Sequence, residues 1–135
     1  MRLVKLITVA LVTTVITLML GCATVKDSDV PAVYWAAGAD VATTSIALDN
    51  GARELNPLGF VGATAMKLVY LSRRNSLDAD TRTRYDRIAT SVWTGAAANN
   101  FVQILSPVPL LFSVTVGFMV GYTVYTQSEV LEPKN

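Results

Sequence analysis

The sequence predicts an all-α membrane protein, in which a signal segment precedes two antiparallel helical hairpins, about four helices in all. Hydrophobic residues make up 52% of the 135 positions and charged residues 16%, against roughly 25% charged residues in a soluble domain. No charged residue occurs between positions 88 and 128. Proline and glycine interrupt the apolar segments where turns are needed. The alternative that this composition allows is a partly buried helical bundle outside the bilayer.

The composition excludes several classes of function. The chain has no histidine and one cysteine, and its net charge is +1. Histidine is the commonest general base and metal ligand, so hydrolase triads that need it are excluded. A single cysteine forms neither an intrachain disulfide nor a cysteine metal cage. A net charge this small gives no electrostatic basis for binding nucleic acid. We therefore expect no enzymatic activity, no cofactor, no metal and no nucleic-acid partner.

The N-terminus has the order of a secretory signal. Arg2 and Lys5 precede an uncharged apolar run at 6–20, and the only cysteine, Cys22, follows it. The stretch Leu18-Met19-Leu20-Gly21-Cys22 resembles the bacterial lipobox, with methionine where that motif prefers leucine. The resemblance implies a signal peptide at 1–21, lipidation of Cys22 after cleavage, and a polar tether at 22–31. The alternative is an uncleaved first transmembrane helix that happens to contain a cysteine.

The segment 32–72 predicts a first hairpin, with helices at 32–48 and 55–72. Between them, Asn50-Gly51 suits a helix C-terminus, where glycine adopts the left-handed conformation. Asn56 followed by Pro57 is typical of an N-cap and a first helical position. Each helix contains one internal charge, Asp40 or Lys67.

Counting outward from the turn places these two charges at one depth. Asp40 lies about nine residues before the turn and Lys67 about ten after it, so at ~1.5 Å per residue both lie roughly 14 Å in. That is about the middle of a ~30 Å hydrocarbon layer. Because charges inside a membrane pair with one another or face a cavity, we predict an Asp40–Lys67 ion pair.

Further polar side chains are expected near the same depth. If successive helices alternate in direction, the asparagines of the third helix lie within about one helical turn of Asp40. The predicted buried polar cluster comprises Asp40, Thr43, Thr44, Lys67, Asn99 and Asn100. Two interpretations are open: hydrogen bonds that hold weakly apolar helices together, or a site for a proton, an ion or a solute.

The segment 88–126 predicts a second, transmembrane hairpin. Its helices, 88–105 and 108–126, flank a turn at 106–109 that contains two prolines, which end helices. On the second helix Ser113, Gly117 and Gly121 recur every four residues and share one face. Such a face allows close helix packing, either within the chain or between two copies of it.

The connection at 73–87 is predicted to be an Arg-rich loop, and residues 127–135 a polar tail. Arginine occupies positions 73, 74, 82, 84 and 87. Positive charge concentrates on the cytoplasmic side of membranes, whereas a mature N-terminus at Cys22 places this loop outside if all four later helices span. Three explanations stay open: an uncleaved signal helix, a segment that does not span, or a surface helix in which Asp78, Asp80 and Asp86 pair with the arginines.

Part of the chain resembles a known group of sequences. The pattern Asp40-Val-Ala-Thr43-Thr44, then Gly51 and Glu54-Leu-Asn56-Pro57, resembles a family of small polytopic bacterial and phage membrane proteins of unknown function. Lys67 and the stretch Gly95-Ala-Ala-Ala-Asn99-Asn100 look similar as well. The resemblance implies a polytopic helical fold and carries no catalytic residues.

We therefore expect a small lipid-anchored, non-enzymatic helical protein of the membrane or cell envelope. The alternative is a small protein that translocates an ion or solute through the Asp40–Lys67 cluster. A membrane enzyme would have to use Asp40, Glu54 and Lys67, but Glu54 is remote in sequence and no nucleophile motif accompanies it.

The expected partners are the lipid bilayer and either a second copy or another membrane protein. The expected location is the bacterial inner membrane, because several apolar spans stop there during insertion. The alternative is the outer membrane, because Ala23 follows the cysteine in place of the aspartate that retains enterobacterial lipoproteins in the inner membrane.

Overall fold

The computed structural model describes residues 30–54, 56–105 and 108–130. Residues 129 and 130 are described by their backbone alone. The predicted signal peptide at 1–21, the lipidation site Cys22 and nearly all of the tether at 22–31 lie outside the described residues.

The described residues form four α-helices and contain no strand. The helices are α1 (Ala32–Asp49), α2 (Gly59–Arg73), α3 (Ala79–Leu105) and α4 (Leu110–Val130), and a short 3-10 helix, Arg74–Ser76, follows α2. The predicted all-α class is confirmed. Within this part of the chain one segment, Leu110–Ser128, is long and apolar enough to cross a membrane, with a mean hydropathy of 1.2.

Helix α3 lies at the centre of the bundle, with α1 and α4 packed against it. Small residues make this contact: the core contains alanine or valine at positions 33, 36, 37, 47, 97, 98, 102, 120 and 124. The small-residue face of α1 around Asp40 thus packs on α3, more extensively than on its sequence neighbour α2. Helix α2, described over its whole length, has no buried residue. It lies at the side of a three-helix core.

The end of α1 is a Schellman motif, which closes the helix with a glycine. Gly51 has a φ of +86°, its N–H donates to Leu48 O at 2.9 Å, and the N–H of Ala52 donates to Ala47 O at 2.9 Å. The predicted helix stop at Asn50-Gly51 is therefore confirmed.

Helix α2 begins later than the Asn56-Pro57 pair predicts. Asn56 Oδ1 accepts a hydrogen bond from the N–H of Leu58 at 2.9 Å, and the N–H of Gly59 donates to Asn56 O at 2.8 Å. These bonds close a tight turn. Gly59 has a φ of +66°, so the helix starts there and not at residue 55.

Helix α3 begins inside the segment predicted as an Arg-rich loop. Asp78 is its N-cap: Oδ1 accepts a 2.9 Å bond from the N–H of Thr81, and Asp78 O accepts the first helical bond, from Arg82, at 2.9 Å. Residues 79–87 are therefore helical. Likewise α4 continues past the predicted end at 126 as far as Val130, into the predicted tail.

The α3–α4 contact leaves no room for a side chain at Gly117 or Gly121. A Cβ atom on Gly117 would lie 2.6 Å from Gly95 O, and one on Gly121 would lie 2.8 Å from Ser91 O. Ser91 Oγ also donates a 2.8 Å hydrogen bond to Gly121 O. Ser113, one turn before Gly117, is fully buried. The predicted packing face of α4 is thus occupied by α3 of the same chain.

Polar contacts join the helix ends on the side of the 3-10 helix. The Arg74 guanidinium binds the Asp86 carboxylate through Nε, at 2.9 and 3.0 Å, and through a terminal nitrogen. Tyr70 Oη donates to the same carboxylate at 2.7 Å, and Arg74 lies over the Tyr34 ring. The bond to Asp86 and the carboxylate charge raise the pKa of Arg74. Part of the positive charge of the Arg-rich segment 73–87 is therefore paired locally, between Arg74 and Asp86.

Candidate functional site

A buried ion pair joins α1 to α2. Lys67 Nζ lies 2.9 Å from Asp40 Oδ2, and the two side chains are 11% and 7% exposed. Lys67 Nζ also lies 5.8 Å from the centre of the Trp93 ring on α3. The pair predicted from depth is therefore formed, and an aromatic face covers its cation, an arrangement that stabilises a positive charge.

Side chains from α1 and α3 saturate the second oxygen of this carboxylate. Asp40 Oδ1 accepts hydrogen bonds from Thr44 Oγ1 and Asn100 Nδ2, both at 3.3 Å. Asn100 Nδ2 also donates to Thr44 Oγ1 at 2.7 Å, and Asn99 Nδ2 donates to Asn100 Oδ1 at 3.3 Å. The network thus contains five of the six residues predicted for the cluster.

Thr43 is not connected to this network. Its Oγ1 donates to Ala39 O at 2.8 Å and to Asp40 O at 3.3 Å. Both bonds return to its own helix, as threonine side chains commonly do when they compete with the helical backbone. The assignment of Thr43 to the polar cluster is therefore wrong, and Thr44 alone represents the Thr-Thr pair.

A cavity of about 180 Å³ lies between α1, α2, α3 and the α1–α2 turn. The network forms one wall, and apolar side chains such as Leu48, Phe60 and Ala63 form another. A water molecule needs roughly 10–15 Å³ of such space, and pockets for drug-sized ligands start at roughly 300 Å³. The cavity therefore has room for several waters or for one solute of a few heavy atoms.

Among the described residues, three buried side-chain polar atoms have no hydrogen-bond partner. All three belong to residues that line the cavity. They are Glu54 Oε2, Thr64 Oγ1 and Asn99 Oδ1. They come from the turn, α2 and α3 respectively. Because an unsatisfied buried polar group costs about 1–3 kcal/mol, such groups normally have partners. The residues that carry unsatisfied polar atoms are thus gathered around the cavity.

Sequence reasoning missed two of these residues. Glu54 is far from both charges along the chain, but the turn folds it back so that it lines the cavity. Its Oε1 accepts a 2.7 Å hydrogen bond from the N–H of Asn56. Thr64 precedes Lys67 by one helical turn, so helical spacing could have placed it on the cavity side of α2.

The charges of the site are partly balanced. Asp40 and Lys67 neutralise each other, whereas Glu54 takes part in no ion pair among the described residues. No group of three or more His, Cys, Asp or Glu side chains that could hold a metal occurs in the described ranges. The arrangement offers oxygen acceptors and an anionic carboxylate beside an apolar wall.

Comparison of the chain with known protein families, with curated proteins and with solved structures finds no match.

Proposed function

We propose that this chain is a small, non-enzymatic helical protein of the bacterial membrane, anchored by lipid at Cys22 and embedded through its helices. The observation that carries the proposal is the exposure of large apolar side chains on the outside of a bundle whose core consists of small residues. Asp40, Ser91, Thr94 and Ser113 are buried, while large apolar side chains cover the outside.

The apolar exterior is concentrated on α2 and α4. Val61 is 79% exposed on α2, and Leu111 and Phe118 are 78% and 73% exposed on α4. Burying one such side chain contributes roughly 1.5–3 kcal/mol, and extended apolar patches mark contact with a membrane or another protein. In a bilayer these side chains contact acyl chains.

Helix length and the position of the charges agree with this environment. At ~1.5 Å per residue, the 21 residues of α4 span about the thickness of the hydrocarbon layer. Charged side chains within membranes are stabilised by pairing and by facing the interior of a bundle. The Asp40–Lys67 pair satisfies both conditions.

The lipid anchor and the location are tested together. Full-length wild type and Cys22→Ser are expressed in bacteria with labelled palmitate, and the intact mass of each purified chain is measured by mass spectrometry. We expect label on wild type alone, loss of residues 1–21, and recovery in the inner membrane after alkaline carbonate extraction. An unlabelled chain that retains Met1 would overturn the anchor and leave a five-helix membrane protein. Release of the chain by carbonate would overturn the membrane assignment.

A second candidate function is translocation of a small ion or solute, and the cavity beside the buried pair favours it. Its test is flux of protons or small cations into liposomes containing the purified protein. We expect flux in wild type and its loss in Asp40→Asn. Equal flux in protein-free liposomes would overturn this function without affecting the membrane assignment.

A further inference from the structure

We propose that the cavity binds a small organic cation with a primary ammonium group and a short aliphatic body. This inference deepens the second candidate function by naming the class of ligand. It depends on binding alone and not on transport, so the two can be tested separately.

The hydrogen-bonding capacity of the cavity indicates a donor ligand. Glu54 Oε2 and Asn99 Oδ1 can only accept hydrogen bonds, and Thr64 Oγ1 can accept one. Two other polar groups of the wall are engaged: Asp40 accepts from three donors, and Asn100 donates to two acceptors. A primary ammonium has three N–H donors and no acceptor, which matches the three unpartnered oxygens in number and kind.

The charge of the wall favours a cation over a neutral donor. The Asp40 carboxylate is cancelled by Lys67, whereas the Glu54 carboxylate forms no ion pair with another described residue and is the negative charge left for a ligand. Arg53, beside Glu54, also lines the cavity, but it is exposed to solvent, which weakens its effect on the charge there. A hydrogen bond between charged groups is roughly twice as strong as one between neutral groups, so Glu54 supplies most of the expected affinity.

The remaining wall is suited to an aliphatic chain. Phe60 and Ala63 on α2 and Leu48 on α1 line the same cavity. A volume of about 180 Å³ accommodates an ammonium group with a few methylenes and excludes a drug-sized ligand. The cavity thus combines three oxygens for the head group with apolar side chains for the body.

The test titrates ethylammonium chloride into the full-length chain in detergent micelles, monitored by NMR of the Thr64 methyl and the Asn99 side-chain amide. Potassium chloride and tetramethylammonium chloride are the comparison salts, because they carry the charge without N–H donors. We expect saturable shifts with ethylammonium, and at least tenfold weaker effects with the other two. Equal effects of the three salts, or no saturation, would overturn the proposal.

Two variants remove single contacts while keeping side-chain shape. Glu54→Gln is expected to weaken ethylammonium binding about tenfold or more, and Thr64→Val about threefold to tenfold. Asp49→Asn removes an exposed carboxylate at the end of α1 that does not line the cavity, and Thr115→Val removes an exposed hydroxyl of α4. Both controls should bind as wild type does. Unchanged affinity in Glu54→Gln, with its spectrum otherwise native, would overturn the assignment even if the chain is retained in membranes.

Discussion

Lys67 Nζ on α2 lies 2.9 Å from Asp40 Oδ2 on α1, and both side chains are nearly inaccessible to solvent. No apolar residue of α2 is buried, so this helix depends on polar contacts to a degree that α1, α3 and α4 do not. Removing one partner of such a pair leaves an uncompensated charge in the interior, whereas removing both leaves none.

This asymmetry predicts the outcome of a double-mutant cycle. Asp40→Asn and Lys67→Met should each lower the free energy of unfolding by about 3–5 kcal/mol. The double variant should recover a substantial part of that loss, because no isolated charge remains. The measurement is denaturant unfolding in micelles followed by circular dichroism. Additive losses in the double variant would mean that the two side chains do not form a pair.

The glycine contact between α3 and α4 predicts that a Gly→Ala substitution destabilises the protein at Gly117 but not at Gly38. Gly117→Ala places a methyl group 2.6 Å from Gly95 O, so the helices must separate, at a cost of about 1–3 kcal/mol. Gly38→Ala is the matched control, because nothing lies within 4 Å of a Cβ atom there. It should be neutral or stabilising by up to about 1 kcal/mol. Equal unfolding free energies for the two variants would contradict the α3–α4 packing.

The N-cap of α3 predicts a pH dependence. The backbone N–H of Thr81 stabilises the carboxylate and lowers the pKa of Asp78. A depressed pKa in the folded chain means that this stabilisation is present above the ordinary aspartate pKa of about 4 and is lost as the pH falls through the folded value.

Asp78→Ala should therefore lower the melting temperature at pH 7 and have progressively less effect below about pH 4. Asp78→Asn is the control, since asparagine caps a helix about as well but does not titrate. It should keep most of the stability and remove this part of the pH dependence. A constant difference between wild type and Asp78→Ala down to pH 2 would contradict the cap.

The Arg74–Asp86 contact predicts how the end of α2 is held. Arg74→Lys keeps the charge but loses the planar, multiply bonded contact with the carboxylate and the contact with Tyr34. Amide hydrogens in the last turn of α2 should exchange faster in this variant, while those of α3 and α4 keep their wild-type rates. Arg84→Lys, at an exposed position of α3, is the control and should leave both sets unchanged. Unaltered exchange in Arg74→Lys would show that α2 is retained by other contacts.

Simple geometric counting predicted the features that depend on one helix or one turn. The Gly51 helix stop follows from backbone conformation, the α4 packing face from a four-residue repeat, and the Asp40–Lys67 pair from equal distances to a turn. In each case the relevant neighbours are fixed by helix geometry along a short stretch of chain.

The features that sequence reasoning missed depend on which helices are neighbours. That α1 packs mainly on α3 does not follow from the hairpin connectivity, which favoured α2. The charged residues 79–87 are helical because Asp78 caps them and because the first turns of α3 extend beyond the apolar core, where polar side chains are tolerated. Glu54 joins the site only through the path of the turn.

The path of that turn has a consequence for how a solute could reach the cavity. Among the described residues, two with positive φ bound the turn, Gly51 just after α1 and Gly59 at the start of α2. The core of α1, α3 and α4 does not include any residue of α2. Helix α2 is thus held beside this core by the Lys67 contact in its middle and by the Arg74 contact just after its end. Separating α2 from its neighbours would break these two contacts and the Tyr70–Asp86 hydrogen bond, whereas the packing of α1 and α4 on α3 involves none of them.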